Sequence, residues 1–331
     1  MPKVLVTGAT GFIGSHLADR LKADGFDVRI VARRTSNLDY IGRLGVEVVE
    51  GDVRDAESLR LAVRGVGTVF HAAALVGEWG RAKDFYDINV RGTRNLLEAM
   101  KAEGVRRLID VSTCAVHGYE GKDNTGETAP FVKTGVLYSD TKADAEKIVW
   151  EYHRRGDVEA TAIRPVMVWG PRDPAYLPKL IRLMRSGVFI YIGDGNNIAG
   201  LSHARNVAHL IMLAYERKES VGEAFLVTDG CKTTYRDIVP ALAEKLGLKV
   251  KTFGIPYPMA KILGSASESA LRLLGAKKAP LMTRMGSYIL GNSLSYSIEK
   301  ARRVLGYEPQ VTFAEGIDEY VESFQKQIAK R

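Results

Sequence analysis

The chain has 331 residues, a formal net charge of +8 and two cysteines, Cys114 and Cys231. That length buries a large core without disulfides or metals. Two cysteines far apart in sequence make neither a disulfide framework nor a zinc pattern, so a reduced, cytoplasmic setting is expected. No segment approaches the roughly 18 apolar residues of a membrane span, and the opening MPKVLVTG has no stretch long enough for a secretory leader. The excess charge is local: Lys249, Lys251, Lys261, Arg272, Lys277, Lys278 and Arg284 stand against Glu268 alone. Net charge is therefore no argument for nucleic acid.

Taken in chain order, short β-branched runs (VLVT, DVRIVA, VEVVEG, GTVFHAA, RLIDVS, ATAIRPV, EAFLVT) alternate with helical periodicity. That alternation predicts an α/β fold: a Rossmann-type doubly wound parallel sheet, its ligand crevice at the carboxyl ends of the strands. The first run leads into TGATGFIG, where Gly8, Gly11 and Gly14 flank Thr10, Phe12 and Ile13. Glycines are needed where a strand turns tightly into a helix and a pyrophosphate must approach main-chain N–H groups. A dinucleotide is the expected ligand.

The second run ends in Arg33, Arg34 and Ser36, where an NAD site places an acid for the ribose hydroxyls. Guanidinium groups suit a 2′-phosphate, so NADP(H) is favoured over NAD(H). Asp52 and Val53 follow the third run and are placed to flank the adenine. His71, Ala72 and Ala73 end the fourth beside the pyrophosphate, His71 itself reading as a strand-end histidine bonded to backbone. His117 and His203 are too scattered to argue for a metal site. Further on, YSDTK sets Tyr138 and Lys142 four apart at a helix start, on one face. By itself that spacing fits equally an aromatic core contact with a snorkelling lysine.

After about residue 166 glycine, proline and aromatic residues take over, and after Asp229 the chain is mostly helical. The expected division is a Rossmann domain at 1–166 plus about 200–229. A smaller, mostly helical substrate-binding cap takes about 167–199 plus 230–331. The basic, Met-rich segment 249–285 reads either as a lid over a lipid-like substrate or as a peripheral membrane contact.

Four elements in order and spacing, TGATGFIG, INVRGT with Asn89, VSTCAVHG with Thr113, and YSDTK, resemble the extended short-chain dehydrogenase/reductase superfamily over essentially the whole chain. The resemblance implies that Tyr138 exchanges a proton with the substrate oxygen. Lys142 then depresses its pKa and bonds the nicotinamide ribose, Thr113 hydrogen-bonds the same oxygen, and Asn89 supports a proton-relay water. It also implies that Pro165, with Val168 close after it, meets the nicotinamide end of the cofactor, and that the chain forms a homodimer through helices near Arg94 and Lys147.

Within that superfamily three places in the chain point to a branch. Thr113 is followed by Cys114 and Ala115, not by the acid pair of the 4,6-dehydratases. Ala199, Gly200 and Leu201 stand where nucleotide-sugar enzymes place an arginine for the diphosphate, although Arg172 or Arg205 could substitute. WGPRDPAYLPKLIRLMRSG and SYSIEKARRVLGYEPQVTFAEGI look like the 3β-hydroxysteroid dehydrogenase branch, which includes decarboxylating sterol dehydrogenases and 2-alkyl-3-oxoalkanoate reductases. Trp79 then either contacts a hydrophobic substrate or packs within its loop. The expectation is an oxidoreductase interconverting a secondary alcohol and a ketone on a sterol, steroid or β-keto lipid. The alternatives are a nucleotide-sugar epimerase with tightly bound NAD and a non-catalytic nucleotide-binding member.

Overall fold

The computed structural model describes residues 1–119, 123–276, 278–280 and 282–329, without the side chains of 327–329. Lys277 of the basic segment lies outside the described residues. The strands are β1 (Lys3–Thr7), β2 (Asp27–Ala32), β3 (Glu47–Glu50), β4 (Thr68–His71), β5 (Arg107–Val111), β6 (Glu159–Pro165), β7 (Met167–Trp169), β8 (Val188–Ile192), β9 (Leu201–His203), β10 (Ala224–Val227) and β11 (Lys251–Ile255). The helices are α1 (Phe12–Ala23), α2 (Ala56–Val63), α3 (Ala82–Phe85), α4 (Gly92–Ala102), α5 (Leu137–Arg154), α6 (Tyr176–Met184), α7 (Ala204–Glu216), α8 (Tyr235–Lys245), α9 (Tyr257–Leu273), α10 (Arg284–Gly291), α11 (Glu299–Leu305) and α12 (Phe313–Ala329).

Each of the seven β-branched runs becomes a strand of one parallel sheet, in the order β10-β6-β5-β4-β1-β2-β3. Helices cover both faces, which is why these strands read as near-continuous apolar runs and not as alternating ones. One face buries Leu17 and Leu21 of α1 with Val207, Leu210 and Ile211 of α7. The other buries Leu59 of α2, Leu97 and Met100 of α4, and Val149 and Tyr152 of α5. In register, Thr7 lies beside His71, His71 beside Asp110, and Val111 beside Ile163. The strand ends therefore place Gly8, Arg33, Ala72 and Thr113 along one edge.

Past β6 the chain crosses that edge. β7 pairs with β9, and β8 with β11, as two-stranded parallel ladders outside the main sheet. A third core joins Leu180 and Met184 of α6, Ile238 and Leu242 of α8, and Ile317 and Tyr320 of α12. Ile298, Ala301, Leu305 and Tyr307 return to the sheet, packing with α7 and β10 in the first core, although the sequence reading groups 230–331 with the cap. Asp229, also buried, ties these pieces: its carboxylate accepts from the Trp169 indole (2.7 Å), the His203 amide (2.6 Å) and the Asn206 side chain (2.8 Å).

Candidate active site

The glycine loop is shaped by close approach. A Cβ on Gly8, whose φ is +72°, would lie 2.6 Å from the Ala72 and Ala73 backbone, and one on Gly14 would lie 2.2 Å from the Gly8 carbonyl oxygen. These two glycines let β1, β4 and α1 converge. Gly11 differs: apart from the Gly8 carbonyl oxygen at 3.1 Å, its Cβ direction is open. Gly11 caps α1 without any side-chain bond to the first-turn N–H groups, and no acid stands in that turn. Above it Thr10, Gly11, Phe12, Ser15, Asn37, Tyr40 and Arg172 line a cleft of about 190 Å³. Open N–H groups, a positive helix end and backbone bare of side chains fit a dinucleotide pyrophosphate.

The expected adenosine end is an exposed strip after β2. Arg34 pairs with Glu50 at 2.7 Å, whereas Arg33 makes no ion pair among the described residues and donates only its backbone N–H, to Ser36 Oγ at 3.1 Å. Asp52 is held by Arg54, which lowers its pKa through their hydrogen bond, and the Val53 carbonyl accepts from Asn95. Arg172, in left-handed backbone at φ +69°, lies 4.1 Å from the Tyr40 ring and donates to Asp19 at 2.7 Å and Ser15 at 3.2 Å. It thus borders the cleft at α1, a placement the sequence reading does not foresee.

His71 points into the core below that edge. It meets two hydroxyls, Thr7 at 2.7 Å and Thr93 at 3.1 Å, in place of the backbone partner expected, and burial pushes its pKa down to about 3. It stays neutral and takes no proton-transfer role.

Thr113, Tyr138 and Lys142 come together where β5 ends against the first two turns of α5. Thr113 accepts the Ala115 N–H at 3.2 Å and hydrogen-bonds the Tyr138 phenol. Lys142, buried, donates to the Val111 carbonyl at 2.9 Å. The expected depression of the Tyr138 pKa is not found. Burial pushes the phenol up to about 12, the Thr113 bond opposes this, and the charge of Asp110 adds to the rise. The physical reason is that desolvation penalises phenolate more than the nearby hydroxyl relieves it.

Asn89 sits in a π-turn at Tyr86–Arg91. Its oxygen accepts from the Leu75 N–H at 2.7 Å, and its amide donates to the Leu75 carbonyl and the Thr141 hydroxyl. Those bonds clamp the loop after β4 to the helix that carries Tyr138. Pro165 ends β6 in the core, and Val168 packs at the margin of the first core.

Around Tyr138 the wall is apolar and aromatic: Tyr119, Ile289, Leu294, Met285, Tyr288 and Tyr296 form one cluster with it. The Tyr119 and Tyr288 rings stack at 5.7 Å. Burial pushes the neighbouring Cys114 thiol up to about 12, so it is no nucleophile. This wall was not legible beforehand, because its members come from three distant segments with no shared spacing.

The loop carrying Trp79 is latched to the cap. Glu78 accepts from Lys179 (2.7 Å) and Thr283 (2.6 Å), the Trp79 indole donates to the Ala276 carbonyl at 3.2 Å, and Arg272 covers its ring at 4.5 Å.

Asp110, beside Val111, is buried with neither carboxylate oxygen hydrogen-bonded among the described residues. Burial pushes its pKa up to about 6, against the attraction of Lys142. The native state therefore keeps this proton where the unfolded chain has lost it, and stability falls as pH rises from about 4 to about 6. Asp110→Asn is expected to stabilise the protein at pH 7 by on the order of 3 kcal/mol. Urea unfolding checks this: the gain should vanish below pH 4, and a gain independent of pH would contradict it.

Comparison with known proteins agrees with this geometry. Residues 4–227 match the model of the NAD dependent epimerase/dehydratase family. The chain is 32% identical over 319 residues to the 4-hydroxy-2-methyl-3-oxo-4-farnesyl-3,4-dihydroquinoline-1-oxide ketoreductase of Stigmatella aurantiaca, covering 96% of this chain and 95% of that one. It is 31% identical over 330 residues to the decarboxylating sterol-4-alpha-carboxylate 3-dehydrogenase of Bos taurus, covering 96% and 91%. Among solved structures it resembles the UDP-glucose 4-epimerase of Thermotoga maritima, with a TM-score of 0.80, 25% identity, and 98% and 99% of the two chains covered. The chain belongs to the NAD dependent epimerase/dehydratase family, the extended short-chain dehydrogenases/reductases, and is an NAD(P)-dependent oxidoreductase of that family.

Proposed function

We propose that the protein reduces a ketone on a bulky apolar substrate to a secondary alcohol with NADPH, or runs the reverse oxidation. The observation that carries this reading is the aromatic and aliphatic wall packed around Tyr138. The place where a nucleotide-sugar enzyme would put its arginine is closed: a Cβ on Gly200 would lie 2.4 Å from the Leu294 carbonyl oxygen, and Ala199 and Leu201 are buried. Arg172 is bound to Asp19 and Ser15, and Arg205 to Glu319, so neither substitutes for it. The ketoreductase and sterol dehydrogenase relatives support a lipid-like substrate.

The glycine loop Gly8–Gly14 would hold the pyrophosphate of NADPH and Lys142 its nicotinamide ribose, and the cofactor would supply the hydride for the carbonyl carbon. A phenol pushed up to about 12 keeps its proton at neutral pH, so Tyr138 acts as the acid that protonates the carbonyl oxygen. Thr113 hydrogen-bonds that oxygen and fixes its direction. Product mass tests the proposed reduction. Reduction adds two hydrogens to the substrate and consumes NADPH in equal amount, whereas an epimerised UDP-sugar of unchanged mass, with no net cofactor loss, would favour the sugar reading.

The preference for NADP(H) rests on Arg33, exposed at the end of β2 and without an ion pair among the described residues. Arg33→Ser is expected to weaken NADPH binding by about tenfold, one lost charge-assisted contact, while NADH binding stays within about twofold. Fluorescence titration of the two cofactors checks it; equal losses for both would contradict the assignment.

A further inference from the structure

The outward face of α9 is apolar from end to end. Met259, Ile262, Leu263, Ala266, Ala270 and Leu273 recur at helical spacing and all are exposed, Ile262 at 68% and Leu273 at 89%. Such a stripe normally faces a core; here the core-facing side is the opposite one, with Ala260 and Gly264 buried against α10. The β8–β11 ribbon leading into α9 continues the pattern. Register places Ile190 beside Phe253 and Val188 beside Lys251, and the three apolar members are exposed. Half of the large apolar side chains exposed among the described residues fall in these three elements and at Leu274, the residue that caps α9.

Around them stand Lys249, Lys251, Lys261 and Lys278, exposed and without an ion pair among the described residues. Glu268, the one acid between 249 and 285, is taken by Arg272 and the Arg284 backbone N–H. A second copy of the chain, docked by a two-fold axis, would bring the same lysines together, a like-charge contact. The substrate cleft is not what the stripe serves, since α9 meets Trp79 through Arg272, outside the stripe. What fits apolar insertion framed by uncompensated ammonium groups is an anionic lipid interface.

We propose that α9 and the β8–β11 ribbon seat the protein on an anionic membrane surface, the stripe entering the headgroup–acyl boundary and the lysines meeting lipid charge. No helix among the described residues is long and apolar enough to cross a membrane, so the contact is peripheral. The inference stands apart from the identity of the substrate, since it concerns only this outer face.

The test is flotation of the full chain with vesicles of phosphatidylcholine alone or with phosphatidylserine, at low and high salt. The expected result is binding to the anionic vesicles that weakens with salt. The double variant Ile262→Glu, Leu263→Glu should lower partitioning by about tenfold or more while keeping NADPH affinity and far-ultraviolet dichroism unchanged. No binding to anionic vesicles at low salt would overturn the proposal, as would equal binding to neutral vesicles. Wild-type self-association abolished by the same variant, without vesicle binding, would overturn it in favour of a second copy.

Discussion

Tyr138→Phe is expected to lower turnover by roughly 10²- to 10⁴-fold, the range for removing a positioned proton donor, while NADPH affinity stays within about twofold. The substitution deletes one oxygen next to Thr113 and leaves the ring packed in the wall of Tyr119, Ile289 and Tyr296. The loss should therefore sit in kcat and not in cofactor binding. Steady-state kinetics with a fluorescence titration of NADPH separates the two. Turnover near that of the unmodified protein would place the proton donor elsewhere.

Gly14→Ala has the largest expected effect on cofactor binding. Its methyl would sit 2.2 Å from the Gly8 carbonyl oxygen and 2.9 Å from Ala9 Cα, both backbone, so no side chain can swing aside. Helix α1 must back away from the loop, at about 1–3 kcal/mol for overpacking. The same displacement carries the first-turn N–H groups away from the pyrophosphate position. NADPH affinity is expected to fall by roughly tenfold or more, with a lower urea midpoint. Wild-type values for both would show that the close contact is not structural.

The parts legible in the sequence are those in which one local segment carries the whole constraint. TGATGFIG is readable because a strand, a tight turn and a helix start fit into a few residues, and the close contacts at Gly8 and Gly14 are what glycine predicts. The sheet is readable because a strand buried on both faces leaves a continuous apolar run. Tyr138 and Lys142 share α5, so their spacing fixes their face. What was not legible is assembled across the chain. Glu78 finds Lys179 and Thr283, and Arg172 finds Asp19 and Tyr40, through contacts that no spacing encodes. Ile298–Tyr307 returns to the sheet although its helical pattern resembles that of the cap helices around it. The direction of the Tyr138 shift also escaped, since it depends on how much water the surrounding side chains exclude.

Ketone reduction on an apolar substrate can be measured by following NADPH consumption against small ketones, bulky cyclic ketones, β-keto lipids and UDP-glucose. kcat/KM should rise with the apolar area of the ketone, because the half-buried Met285, Tyr288 and Tyr296 offer apolar surface beside Tyr138, and UDP-glucose should be left unchanged. Interconversion of UDP-glucose with no NADPH consumed on any ketone would contradict ketone reduction.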